Sequence, residues 1–254
     1  MANLLNYPPV ILGISLILLW LSTRLGDCYE RKARPLKDEE REHLTTAVGA
    51  TLTLLGLIVG FTFSMAITRY DQRKNYEEEE ANAIGTEYLR LDLLPAESAQ
   101  KAKDLLRKYL VQRIAYYEER YEGNMVRIDD ETGRLQGELW SVVQAVAVGQ
   151  PTPTVALAAS GMNDVLNSQG YTQASWWNRI PEGAWLLMFI IAMCSCTLTG
   201  YSARHSRPWL LVILPIVLSI SFFFIADIDS PRHGVIRVTP RNLISLEHSL
   251  RKAS

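Results

Sequence analysis

The sequence predicts an all-α integral membrane protein, with four transmembrane helices arranged as two hairpins and a helical extramembrane insert between the second and third. Three observations carry this. Residues 2–23, 44–68, 183–203 and 208–226 contain no Asp, Glu, Lys or Arg, and each is long enough to cross about 30 Å of hydrocarbon as a helix. The chain between them is densely charged, so the ordinary overall figures of 48% apolar and 21% charged residues average over two solvents. No alternating stretch bounded by turn residues argues for a strand. Cys28, Cys194 and Cys196 are odd in number, and two lie in an apolar span, which excludes a secreted disulfide scaffold.

The first hairpin occupies residues 1–68, with helices expected at about 4–23 and 45–68. Residues 1–7 carry no Lys or Arg and no small-residue cleavage motif follows, so the first span reads as a retained anchor rather than a signal peptide. The loop 24–43 holds Arg24, Arg31, Lys32, Arg34, Lys37 and Arg41 against six acidic residues. After residue 68 no breaker occurs before Pro95, which predicts one helix running out of the membrane.

The insert, 69–182, carries 13 basic and 18 acidic residues, net −5. It has no basic face interleaved with aromatic residues, so nucleic acid is not an expected partner. Within it Leu106, Leu110, Ile114, Tyr117 and Tyr121 recur at helical spacing. Residues 123–133 read as a polar break, 135–148 as a further helix stopped by Pro151 and Pro153, and Thr154 as the cap of one reaching about residue 167. Trp176, Trp177 and Trp185 around Pro181 mark the membrane surface, where indole rings are favoured. The second hairpin occupies 183–228, with helices at about 183–203 and 208–226 joined by a tight link, and 229–254 is a polar C-terminal tail.

The helix at 45–68 is the most informative segment. Gly49, Thr53, Gly56, Gly60 and Ser64 form one stripe of small or weakly polar side chains, and Gly56 with Gly60 is a GxxxG pair. Such a stripe lets helices approach closely in lipid. Alternatively, several copies line an axial path in which Phe61 and Phe63 form a hydrophobic constriction. Glu77, Glu78, Glu79 and Glu80 follow. They form either a solvated face with pairs such as Arg73 to Glu77 and Lys74 to Glu78, or, in a ring of copies, stacked acidic rings that attract cations. Asp227 and Asp229 end the last helix at water or mark a cation or lipid head-group site.

No catalytic constellation, metal-ligand spacing or cofactor motif appears. His43, His205, His233 and His248 lie scattered, and the Cys194 and Cys196 side chains point about 200° apart on a helix. No enzyme, cofactor or metal is therefore expected.

The run Gly56-Leu-Ile-Val-Gly-Phe-Thr-Phe-Ser-Met-Ala, then Arg69-Tyr70-Asp71-Gln72-Arg73 and Glu79-Glu80-Ala81-Asn82-Ala83-Ile84-Gly85-Thr86, resembles the bestrophin-like domain-of-unknown-function family of bacterial membrane proteins. Asn163-Asp164, Arg179-Ile180-Pro181, Asp229-Ser-Pro-Arg-His-Gly and Val238-Thr-Pro extend the resemblance over nearly the whole chain. The more distant similarity is to bestrophins, pentameric ion channels whose second helix lines a narrow neck. The resemblance implies a multi-pass protein of a bacterial inner membrane and a homo-oligomer, pentameric like those channels. Gln72-Arg73-Lys74 stands where bestrophins carry a Trp pair, and residues 230–254 hold no acidic calcium clasp, so calcium gating is not implied. Bestrophins keep the insert and termini cytoplasmic, whereas the basic flank of the first helix places loop 24–43 there.

Together these readings predict an oligomeric channel for monovalent ions in the lipid bilayer, cations slightly favoured over anions by the acidic run. The alternative is a non-conducting, membrane-anchored scaffold or sensor that binds a partner through its insert. The face from Leu106 to Tyr121 is then its docking surface, or simply the insert's own core.

Overall fold

The computed structural model describes residues 7–32, 37–202 and 209–252. Among these, every regular element is helical: α1 Pro8–Lys32, α2 Asp38–Arg90, a single 3-10 turn Leu91–Leu93, α3 Ala96–Glu118, α4 Glu122–Gly149, α5 Pro153–Trp177, α6 Glu182–Ser202, α7 Leu210–Asp229 and α8 Arg241–Lys252. Four stretches are long and apolar enough to cross a membrane: Pro8–Lys32, Glu39–Leu93, Pro153–Ser202 and Leu210–Asp229. The expected helix start at residues 4–6, the link 203–207 and part of loop 24–43 lie outside the described residues.

Several helices are longer than the apolar runs suggest. α1 continues to Lys32 because Arg31 pairs with Asp27 one turn earlier, at 3.0 Å, and α2 already begins at Asp38. The expected break at 123–133 is helical, since Met125, Ile128, Thr132, Leu135 and Leu139 form one buried stripe along α4. Thr152, not Thr154, caps α5: its Oγ1 accepts from the Val155 amide at 3.2 Å and Pro153 fills the first helical position. That helix runs on to Trp177 rather than ending near 167. The tail is not merely polar, because α8 forms within it.

The chain divides into two compact units, with the division falling inside α2 after Tyr70. The first comprises Met1–Tyr70 and Arg179–Arg237. In it α1 packs against α6 and α7, around a core that includes Leu19, Leu55, Ala66, Met188, Phe222 and Ile225. The α1 and α6 backbones approach so closely that a Cβ on Gly26 would meet the Thr197 carbonyl oxygen at 2.0 Å, and one on Gly200 the Thr23 oxygen at 2.1 Å. Small residues at a crossing are the expected device where lipid offers no hydrophobic driving force. The buried hydroxyls of Ser22 and Thr23 donate to their own helix, to Leu18 O at 2.8 Å and Leu19 O at 2.9 Å.

The second unit comprises Asp71–Asn178 and Val238–Ser254. Here α3 packs on α4 and α8, and α4 on α5. Leu106, Leu110, Leu135, Leu139, Met162 and Val165 form a fully buried interior. Leu243 of α8 is buried with them, and a Leu246 methyl lies 3.1 Å from the Cβ position of Gly85 on α2.

Candidate functional site

Along its apolar part, α2 turns Leu55, Thr62 and Ala66 into the first unit. With about 100° per residue, Gly49, Thr53, Gly56, Gly60 and Ser64 share the face turned away from those three. The sequence stripe is therefore one face, and all of these residues are exposed in the single chain. Beyond the helix's own backbone, no atom of the described residues lies within 4 Å of the Cβ positions of Gly49, Gly56 or Gly60, so the GxxxG pair is not used for packing among them. That work falls to Gly26 and Gly200. Phe61, 67% exposed, stands about 100° around the helix from the centre of this face, and Phe63, 38% exposed, about 60° to its other side, next to the buried residues.

The four glutamates that follow do not act alike. Glu78 and Glu79 are exposed, but Glu77 and Glu80 are buried within the second unit. Glu77 Oε1 accepts from the amides of Asn242 at 2.9 Å and Leu243 at 3.0 Å, and its Oε2 from the Asn242 side chain at 2.6 Å. The carboxylate thus satisfies the free amides in the first turn of α8 and complements its dipole.

Glu80 is held by Arg113 of α3, whose Nε donates to Oε1, and by Tyr117 and Thr172 hydroxyls at 3.3 and 3.0 Å on Oε2. The Arg113 guanidinium also lies 4.4 Å over the Tyr116 ring. Burial works against the Arg113 charge, but the Glu80 carboxylate overrides it and raises the guanidinium's already high pKa. Burial, then the same carboxylate, pushes the Tyr117 phenol well above its usual range. Arg73, expected to pair with Glu77, donates its Nε to the Ser175 carbonyl at 3.3 Å.

Asp227 and Asp229 do not end their helix at water. Both are buried. Asp227 accepts from the amides of Val235 at 2.7 Å and Ile236 at 2.8 Å, closing the turn after α7. Gly234 is required there, because a Cβ would meet the Asp227 carbonyl oxygen at 2.2 Å. Asp229 accepts from the Ile180 amide at 3.2 Å and from Arg179 Nε at 3.3 Å. These contacts replace the cation or head-group reading.

Elsewhere, the cleft between α3 and α4 is lined by Gln112, Glu119, Arg127 and Glu131. Of its acidic lining, Glu119 accepts from the Tyr121 amide at 2.7 Å and Glu131 from Arg134 at 2.8 Å. No group of three or more metal-ligating side chains occurs among the described residues.

Arg113, Thr172, Asn242 and Glu87 were not singled out by the sequence reading. A signal for two of them existed. Arg113 falls in phase with Leu106, Leu110 and Tyr117, and Glu87 with Ile84 and Leu91. A charge in step with an apolar stripe points inward.

Compared with known proteins, residues 11–243 match the family model described as the Bestrophin-like domain. No curated protein matches the chain. Among solved structures, a bacterial Bestrophin homolog from Klebsiella pneumoniae carrying a mutation aligns with a TM-score of 0.65 at 14% identity, over 95% of this chain and 98% of that one. The same homolog solved by Zn-SAD phasing gives 0.64 at 13% identity, over 95% and 96%. A third structure, described only as a membrane protein, gives 0.65 at 14%, over 95% and 97%. At this identity the likeness is one of fold.

Proposed function

The chain belongs to the bestrophin-like family, and from that premise we propose that it assembles as a homo-oligomer, a pentamer, and conducts monovalent ions across a bacterial inner membrane. Its four apolar helices form two membrane hairpins, and copies of α2 surround the axis. The observation that carries this reading is the face of Gly49, Thr53, Gly56, Gly60 and Ser64. It is small and at most weakly polar, is turned away from the buried residues of α2, and is left uncovered by the described helices. A ring of copies would cover it and leave a narrow dry path, with Phe61 and Phe63, on its two flanks, forming the constriction.

A slight preference for cations rests on Glu78 and Glu79, the exposed half of the acidic run. Glu77 and Glu80 cannot add to it, because their charges are taken up inside the second unit. The scaffold alternative keeps little of its expected docking face, since Leu106, Leu110 and Tyr117 are buried and Tyr121 alone of that face is exposed.

The test is ion flux from liposomes under opposed sodium and chloride gradients, with the mass of the purified assembly measured first. A ring that leaks ions, and whose leak changes with Phe61→Ala or Phe63→Ala, is the expected result. A folded ring in which both substitutions leave a measurable flux untouched excludes the neck, and a monomer or dimer excludes the channel.

A further inference from the structure

Glu87 lies on the inward face of α2 and is fully buried. Unlike Glu77 and Glu80, it has no hydrogen-bond partner on either carboxyl oxygen. The charged groups facing it are Arg90, from the next turn of α2, and Asp164, from α5. Arg90 Nη1 lies 3.9 Å from Asp164 Oδ2. Gly161 of α5 faces the carboxyl: a Cβ there would stand 2.0 Å from Glu87 Oε2 and 2.5 Å from Arg90 Nη1. The carboxyl therefore occupies the space that a glycine leaves open between two helices.

An ionised carboxylate without partners is strongly disfavoured in such a place, and the group keeps its proton instead. We propose that Glu87 is a proton-binding site that governs the contact between α2 and α5. Protonated, it fits against Gly161; ionised, it either draws Arg90 away from Asp164 or leaves the interface. Burial, eased by Arg90 and reinforced by Asp164, pushes its pKa from 4.5 up to about 8. The folded chain thus keeps a proton that the unfolded chain has lost. Stability from this group is full below about 4.5, falls as pH rises towards about 8, and is level above it. The inference holds whether or not the chain conducts ions.

Infrared difference spectra of the full chain in lipid nanodiscs at about pH 6.5 and about pH 9.5, with amide hydrogen exchange of α5 corrected for intrinsic pH dependence, test it. The expected result is a protonated-carboxyl band at the lower pH that vanishes at the higher one and is missing in Glu87→Gln. Exchange around Gly161 should rise about tenfold with pH in the native chain and stay level in Glu87→Gln. A band that persists in Glu87→Gln, its absence from the native chain at the lower pH, or equal exchange changes in both proteins overturns the proposal. Should Glu87→Gln fail to fold, Asp164→Asn serves, because removing the neighbouring negative charge must lower the midpoint of the band; an unmoved midpoint overturns the assignment.

Discussion

The two units solve the same problem, placing polar groups in an interior, in opposite ways. In the first, buried hydroxyls bond within their own helix, as Ser22 and Thr23 do to carbonyls four residues back, and specificity comes from close backbone approach at Gly26 and Gly200. In the second, full charges are buried and satisfied across long sequence separations: Glu80 by Arg113 and Thr172, Glu77 by Asn242. Lipid-facing helices gain little by expelling apolar side chains, so shape fit must hold them together. An interior with a large apolar core has hydrophobic stabilisation to spare and can carry charge networks that fix which helix sits where.

That contrast can be broken most forcefully at Arg113. Arg113→Ala leaves the Glu80 carboxylate buried without its charge partner, and should cost about 3–5 kcal/mol of second-unit stability. Denaturant unfolding followed through hydrogen exchange of α3 and α5 measures it; a loss below about 1 kcal/mol would mean that water replaces the guanidinium without penalty.

At the α1–α6 crossing, Gly200→Val forces a branched side chain onto the Thr23 carbonyl. The expected loss is about 1–3 kcal/mol, typical of an overpacked interior, and it should fall on the first unit while α3 to α5 exchange as before. Thermal unfolding in detergent reads the total and exchange locates it. If the second unit loosens equally, the two interiors do not respond separately.

The smallest expected effect is at Glu77. Glu77→Ala removes a cap from α8 and should cost about 0.5–2 kcal/mol, seen as faster exchange of the Asn242 and Leu243 amides. Glu77→Gln keeps an acceptor and should lose less. Equal losses would show that the negative charge near the helix start, not the hydrogen bonds, is what holds α8.

Membrane helices were legible because an uncharged run of sufficient length has few other homes. Their ends were not, since α1 and α2 continue into charged sequence supported by pairs such as Asp27 with Arg31. The small-residue stripe was found, but its use was not: Gly56 and Gly60 face open space, while isolated Gly26 and Gly200, which belong to no motif, make the close crossing. For the glutamate run, adjacency in sequence hid opposite fates. Positions 77 and 80 share the inward face with Arg73 and Ile84, whereas 78 and 79 look outward. A charge run read as a block loses this, and only phasing each residue against the apolar stripe recovers it. Arg113 was overlooked for the same reason, being a cation inside a face identified by its leucines and tyrosines. The α8 helix was missed because its partner, Glu77, lies 165 residues away along the chain.

The second unit is also discontinuous, assembled from residues 71–178 and 238–254. During synthesis at roughly 5–20 residues per second, the intervening segment takes on the order of several seconds to emerge. Throughout that time Glu77 has no α8 to cap and the surface awaiting Leu243 is bare. The second unit therefore cannot finish folding until α6 and α7 have been made, which ties the timing of its completion to the emergence of two apolar helices that belong to the other unit.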